Sequence, residues 1–182
     1  MGFDNISPNT LNAYLELSKK AFAYNLAAKG RQYMDVYQFP VEAMVACGCF
    51  ESGWGTSPFY LATNCPFNLQ RPVNWEWPHC DVYKSRTTGD RAGTQKYVTT
   101  FCKAIDLADS VRIFCEWIIH WPNSRQSGQL MATKGNSKLF ASKLPLVGFG
   151  SPPNPGADYV RMVDTVMPII NGPEPVIPHI PW

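Results

Sequence analysis

Between Asn9 and Ala28 the apolar positions Leu11, Tyr14, Leu15, Ala21, Phe22 and Leu26 recur near helical spacing. They predict a first helix, opened near Ser7-Pro8 and ended by Gly30. A second helix is predicted from Pro40, a residue tolerated in a first turn. Val41, Met44, Val45 and Gly48 form its buried stripe, and Ala43, Ala46 and Cys47 are small enough for close approach. A helix apolar on nearly every side belongs at the centre of a fold. This one ends on a carboxylate, Glu51. Such a group is rarely buried without a partner or a task.

Residues 71–101 break that pattern. Arg71-Pro72, Trp77-Pro78 and Thr88-Gly89-Asp90 are turn formers, and the β-prone pieces Asp81–Ser85 and Lys96–Phe101 predict a small, irregular β-containing lobe. Asp106-Leu107-Ala108-Asp109 then opens a third strong helix, since Asp suits an N-cap and a first turn. Val111, Phe114, Cys115, Ile118 and Ile119 give it an apolar face, and Pro122 marks its end. Residues 136–144 predict a short helix and 157–170 a final one. The stretch 171–182, NGPEPVIPHIPW, is too rich in proline for a helix and reads as an extended tail. Periodicity alone therefore gives a mainly α chain: one domain over residues 1–170, then a tail.

Composition narrows the function classes. A chain of 182 residues is long enough for one self-sufficient core. Net charge is +2 and no basic run appears, which excludes a nucleic-acid field. No segment approaches the ~20 apolar residues of a membrane span. The start MGFDNISPNT lacks the basic and apolar regions of a signal peptide. Aromatic content of 13% supplies rings both for the core and for lining a groove. Six cysteines contain no CxxC pair and only three histidines accompany them, so a zinc site is not expected. Cys65 and Cys80 flank the loop that carries Trp75 and Trp77; they either bond across it or stay as buried thiols. His79 and Cys80 are neighbours in an extended segment and point apart, which argues against a Cys–His nucleophile. No cofactor is called for.

The chemistry concentrates in Pro40–Gln70. Glu51 runs directly into Ser52-Gly53-Trp54-Gly55-Thr56-Ser57, followed by Thr63-Asn64-Cys65-Pro66-Phe67-Asn68-Leu69-Gln70. A Glu ending an apolar helix, with an indole three residues on, suits a desolvated acid that gives its proton to a leaving oxygen. The run resembles the glucosaminidase-domain family of peptidoglycan hydrolases, whose pattern reads roughly A-x-x-E-S-G-W-G-x-S and then T-N-N-x-F-G-I-K. The likeness is sharp over residues 46–70 and loose over the rest of 10–170.

The resemblance implies a lysozyme-like fold, mainly α (α+β), with a helical body and a small β-containing lobe flanking a cleft. It implies an endo-β-N-acetylglucosaminidase cutting β-1,4 bonds of glycan strands, with Glu51 as general acid. The partner would be peptidoglycan or a related N-acetylglucosamine-containing glycan. The protein would be monomeric, and secreted, periplasmic or wall-associated. The second carboxylate falls best on Asp90, with Asp81 and Glu76 in reserve; otherwise the substrate's own 2-acetamido group assists. The substrate-binding set implied is Trp54, Asn64, Phe67, Asn68, Gln70, Tyr97 and Tyr159. Departures from the pattern are Asp90 for Glu, Cys102 after Phe101 where Arg is usual, Asn68 for Gly and Gln70 for Lys. The family's Tyr-Ala-Thr-Asp-Pro-x-Tyr step corresponds to residues 148–159. Its last Tyr is Tyr159, whereas its first falls on Phe149 with an insertion, or on Pro153 without, so a hydroxyl is lost. In its place Tyr97 or Tyr83 could serve. Two other readings stay open: a muramidase or lytic transglycosylase on the same fold, and a catalytically impaired glycan-binding or structural module.

Overall fold

The computed structural model describes residues 8–71, 74–87, 97–150 and 155–177. Among these, seven α-helices and one two-stranded sheet are present: α1 (Pro8–Tyr37), α2 (Val41–Glu51), α3 (Pro58–Thr63), β1 (Asp81–Thr87), β2 (Tyr97–Lys103), α4 (Leu107–Ile119), α5 (Ser124–Met131), α6 (Ser137–Lys143) and α7 (Pro155–Ile170). A 3-10 turn, Leu144–Val147, follows α6. The mainly α expectation and the small β lobe both stand.

α2 is the central element, in contact with α1, α6 and α7. Seven consecutive residues, Ala43 to Cys49, are buried, which accounts for its being apolar all round. Phe67 packs on Phe114 at 4.6 Å between ring centroids, and a Cβ at Gly48 would come within 3.1 Å of the Phe67 ring. Fully burying a ring of this kind contributes about 1.5–3 kcal/mol.

α1 runs nine residues beyond the predicted end at Ala28. Gly30 does not terminate it; a Cβ there would sit 2.3 Å from Met44 Cε, so the glycine lets α1 press against α2. Pro40 caps α2 from outside rather than entering its first turn. α3 and α5 were not expected. Each starts on a side-chain cap, Ser57 accepting from the Tyr60 N–H and Asn123 from the Gln126 N–H. Asp106 caps α4 as the sequence suggests, accepting from the Asp109 N–H at 2.8 Å. A cap of this type stabilises a helix by about 1 kcal/mol.

β1 and β2 pair antiparallel, from Asp81 opposite Lys103 to Thr87 opposite Tyr97. The segment Leu69–Arg71 adds a short third edge: Cys102 N–H donates to Leu69 O, Arg71 N–H donates to Thr100 O, and Gln70 bridges Phe101. This ties the loop after α3 to the lobe. All six cysteines are free thiols. Cys65 and Cys80 do not bond; Cys80 instead hydrogen-bonds Cys102, which holds its thiol below the usual range. No helix among the described residues is long and apolar enough to cross a membrane.

Candidate active site

Glu51 is the last residue of α2, and the chain must turn there for its carboxyl to reach a cleft. The turn is made by three successive residues with left-handed backbone: Gly53 (φ 57°), Trp54 (φ 60°) and Gly55 (φ 78°). Glycine adopts this conformation freely, while an L side chain pays about 1–2 kcal/mol for it. A Cβ at Gly55 would also meet the Phe22 ring at 2.5 Å. Ser52 locks the turn: its Oγ donates to Gly48 O at 2.6 Å and accepts from the Gly55 N–H at 2.9 Å. Trp54 N–H donates to Cys49 O, and Ser57 N–H to Ser52 O. The Glu-Ser-Gly-Trp-Gly-Thr-Ser run is thus chiefly a helix-ending turn that leaves Glu51 at a rim.

The carboxyl of Glu51 is held from both sides. Tyr159, from α7, donates its hydroxyl to Oε1 at 2.5 Å. Asn68 donates through Nδ2 to Oε2 at 3.2 Å and to the Glu51 backbone carbonyl at 2.8 Å. Asn68 itself has φ 50°, the conformation a glycine would take most easily, and its buried Oδ1 has no partner. Burial, then the neighbouring Cys47 and Glu51, push the Tyr159 phenol far above its ordinary value, so it remains a proton donor. Burial likewise pushes the Cys47 thiol well up.

Glu51 opens on a cleft of about 460 Å³ whose wall also includes Phe67, Asn68, Leu69, Gln70, Trp75, Phe101, Trp117, Trp121 and the strap Gly148–Gly150. Glu51 is the one charged side chain among these described lining residues. The strap is thin of necessity. Gly148 (φ 86°) leaves room for the Trp121 ring 2.9 Å from where a Cβ would stand, and Gly150 (φ 75°) for the Tyr159 hydroxyl at 2.7 Å. Phe149 lies in this strap and brings a ring with no hydroxyl to the cleft.

Sequence-predicted residues separate into groups. Glu51, Phe67, Asn68 and Gln70 come together at the cleft. Phe67 is a 2% exposed floor residue, while Gln70 is exposed at the edge. Tyr159 is fully buried and touches Glu51 from behind, so it positions the acid rather than lining the groove. Trp54 is not on the cleft: it lies in a separate groove with Leu17, Lys20 and Ile169. The left-handed turn carries its side chain away from Glu51. Asn64 (φ 52°) caps α3 and donates to the carbonyls of Ala104 and Ile105, at 3.4 and 3.3 Å, on the way into α4. Tyr97 starts β2 opposite Thr87, at the far end of the hairpin. Asp90 lies outside the described residues. The reserves Asp81 and Glu76 are exposed, and neither lines the cleft. No group of three His, Cys, Asp or Glu able to hold a metal occurs among the described residues.

Two features were missed in the sequence. One is the wall of Trp75, Trp117 and Trp121, whose indoles lie 4.9–5.6 Å apart. The other is the clamp that ties the segment after Trp75 to α4 at His79. Arg112 donates to Glu116 Oε1 at 2.5 Å, to Asp109 Oδ1 at 2.9 Å and to His79 O at 2.7 Å, and Glu116 Oε2 accepts the His79 N–H at 3.1 Å. Asp109, Arg112 and Glu116 at i, i+3 and i+7 on α4 are the signal that could have revealed it.

No family model and no curated protein matches the chain. Solved structures do. The autolysin Auto catalytic domain from Listeria monocytogenes superposes with a TM-score of 0.62 at 13% identity, over 84% of this chain and 86% of that one. A truncated glycoside hydrolase domain of FlgJ from Salmonella typhimurium gives 0.59 at 19%, over 81% and 97%. A mutant peptidoglycan hydrolase from Sphingomonas sp. A1 gives 0.57 at 21%, over 80% and 92%. The chain therefore has the mainly α, lysozyme-like fold of the glucosaminidase-domain hydrolases it resembles in residues 46–70.

Proposed function

We propose that this protein is a glycoside hydrolase of peptidoglycan, an endo-β-N-acetylglucosaminidase in which Glu51 is the general acid. The observation that carries the reading is a carboxyl held by Tyr159 and Asn68 at the rim of a cleft otherwise lined by uncharged and aromatic groups. Fixing an acid before substrate arrives removes orientation entropy from the barrier. With Oε1 tied to Tyr159, the proton for the glycosidic oxygen is delivered from the Oε2 edge. Protonation of that oxygen accompanies cleavage of its bond to the anomeric carbon, and a water then adds at the oxocarbenium-like centre. Water activation, or attack on the anomeric carbon, falls to Asp90 or to the substrate's 2-acetamido group.

Proteins whose structures are similar are described as peptidoglycan hydrolases and an autolysin, which supports a cell-wall glycan as substrate and a site of action outside the cytoplasm. We take the working form to be a monomer that needs no cofactor and does not engage nucleic acid. A second reading rests on Phe149: a cleft lacking the hydroxyl at that point suits a slow enzyme or a glycan-binding module.

The test is incubation of the protein and of Glu51→Gln with peptidoglycan, then borohydride reduction and mass spectrometry. Reduced N-acetylglucosamine ends, one water heavier and made only by the unaltered chain, are expected. Reduced N-acetylmuramic ends make it a muramidase, and anhydro ends without added water make it a transglycosylase. Equal cutting by Glu51→Gln sinks the assignment of the acid. Sugar binding with no cutting supports the module.

A further inference from the structure

Three of the six thiols meet where the loop after α3 joins the hairpin. The strand register sets Asp81 opposite Lys103 and Val82 opposite Cys102, so Cys80, the residue before β1, stands beside the end of β2 that carries Cys102. Two further bonds tie the same corner: Arg71 Nη1 donates to Cys80 O at 3.1 Å, and the Cys102 N–H donates to Leu69 O at 2.8 Å. The Cys80 and Cys102 side chains hydrogen-bond each other, and Cys65 lies within electrostatic reach of both. Cys102 stands where the resembled family pattern usually has Arg, so the pair belongs to this chain rather than to that pattern.

The two sulfurs differ in access and in charge. Cys102 and Cys65 are fully buried, as are Cys47, Cys49 and Cys115, whereas Cys80 is half-buried and open to small reagents. The bond from Cys102 holds the Cys80 thiol below its usual range, against its partial burial and with help from the Arg71 guanidinium. The same bond, and burial, push Cys102 far up, so that Cys102 keeps its proton. Such a pair divides the labour of thiol–disulfide exchange. The thiolate is the nucleophile, and a neighbour that reagents cannot touch attacks only the sulfur already modified. Two thiols in hydrogen-bond contact on adjoining segments need little movement to reach the geometry of a disulfide.

We propose that Cys80 and Cys102 are a modification site, at which Cys80 reacts with a small disulfide and Cys102 resolves the adduct into a reversible Cys80–Cys102 cross-link. In the first step the Cys80 thiolate attacks RS–SR; a bond from Cys80 to one sulfur forms, and RS⁻ leaves and takes up a proton. The hydrogen bond that raised Cys102 is lost with that step. Cys102 then gives up its proton and attacks the Cys80 sulfur, displacing the second RS⁻, which is protonated in turn. Two protein thiols are oxidised, and one small disulfide is reduced to two thiols. The link closes residues 80–102 into a loop and fixes the corner where the segment before β1 meets β2. It is independent of the glycan reading of Glu51.

The experiment incubates the reduced full chain near neutral pH with oxidised glutathione, followed by intact mass, peptide mapping without reduction, and Tm. The expected product is two hydrogens lighter than the reduced chain, with Cys80 joined to Cys102, a Tm about 5–10 °C higher, and reversal by dithiothreitol. Cys102→Ala should stop at one glutathione on Cys80, and Cys80→Ser should not react. Cys80→Ser alters a half-buried position, so it tests the site even where Cys102→Ala lowers stability. A stable mixed disulfide on the unaltered chain, a Cys65–Cys80 link, glutathione on Cys80→Ser, or no reaction overturns the proposal. Cutting of peptidoglycan, measured separately, bears only on the glycan reading.

Discussion

Glu51 and Tyr159 are 108 residues apart in the chain, and a single hydrogen bond makes them one unit. Replacing the tyrosine by phenylalanine keeps the buried ring and removes only the donor. On the proposed role of Glu51, Tyr159→Phe is expected to fold with little change in Tm and to lose about 10–100-fold in kcat with KM nearly unchanged, because a small misplacement of the proposed acid is costly to the rate. Steady-state kinetics on solubilised peptidoglycan reads this split. The turn beside Glu51 answers to different rules. Gly55→Ala would combine a left-handed alanine with a collision against Phe22, and we expect a loss of about 2–4 kcal/mol in chemical unfolding. In the sequence Glu51 stands out as an acid ending an apolar helix, but only the Ser-Gly-Trp-Gly run that follows it singles it out over a solvated helix end or an ion pair. Trp54 was misassigned, because no spacing rule foretells that a bulky residue will sit between two glycines with positive φ.

At the level of elements, the long apolar helices and the short α6 were readable, whereas α3 and α5 were not. α2 and α4 announce themselves by their faces and by Asp106, whereas α3 and α5 depend on single Ser and Asn caps that resemble ordinary turn residues. Gly30 was misread since its role, letting Met44 approach, depends on a partner helix that sequence alone does not supply. The clamp from α4 to the 74–80 segment makes the aromatic wall an extension of that helix. Arg112→Ala should leave Glu116 without its guanidinium partner and cost about 2 kcal/mol. Limited proteolysis should then cut between residues 71 and 80 before any other site, which a general loss of stability would not produce.

For the molecule as a whole, the buried thiols set the alkaline limit. Burial pushes Cys65 from an ordinary 9.0 up to about 12, and the same cause raises Cys47, Cys49 and Cys115. Between pH 9 and 12 the folded chain keeps protons that the unfolded chain releases, so stability falls as pH rises through that window. Tm should be level below pH 8 and decline from about pH 9, and substituting Cys65 by Ala should make that decline shallower. Cys80, half-buried and lowered by the Cys102 hydrogen bond, is the exception. Iodoacetamide near neutral pH should label it alone among the six in the native protein, as peptide mapping would register.

The turn after α2 has a practical corollary. Its hydrogen bonds join Gly48 to Ser52, Cys49 to Trp54, and Ser52 to Gly55 and Ser57, and none uses the Glu51 carboxyl. Scaffold and acid are therefore separable parts, and a Glu51→Gln chain is a reagent in its own right. Carrying a fluorophore on Cys80, it would stain a target wall without eroding it.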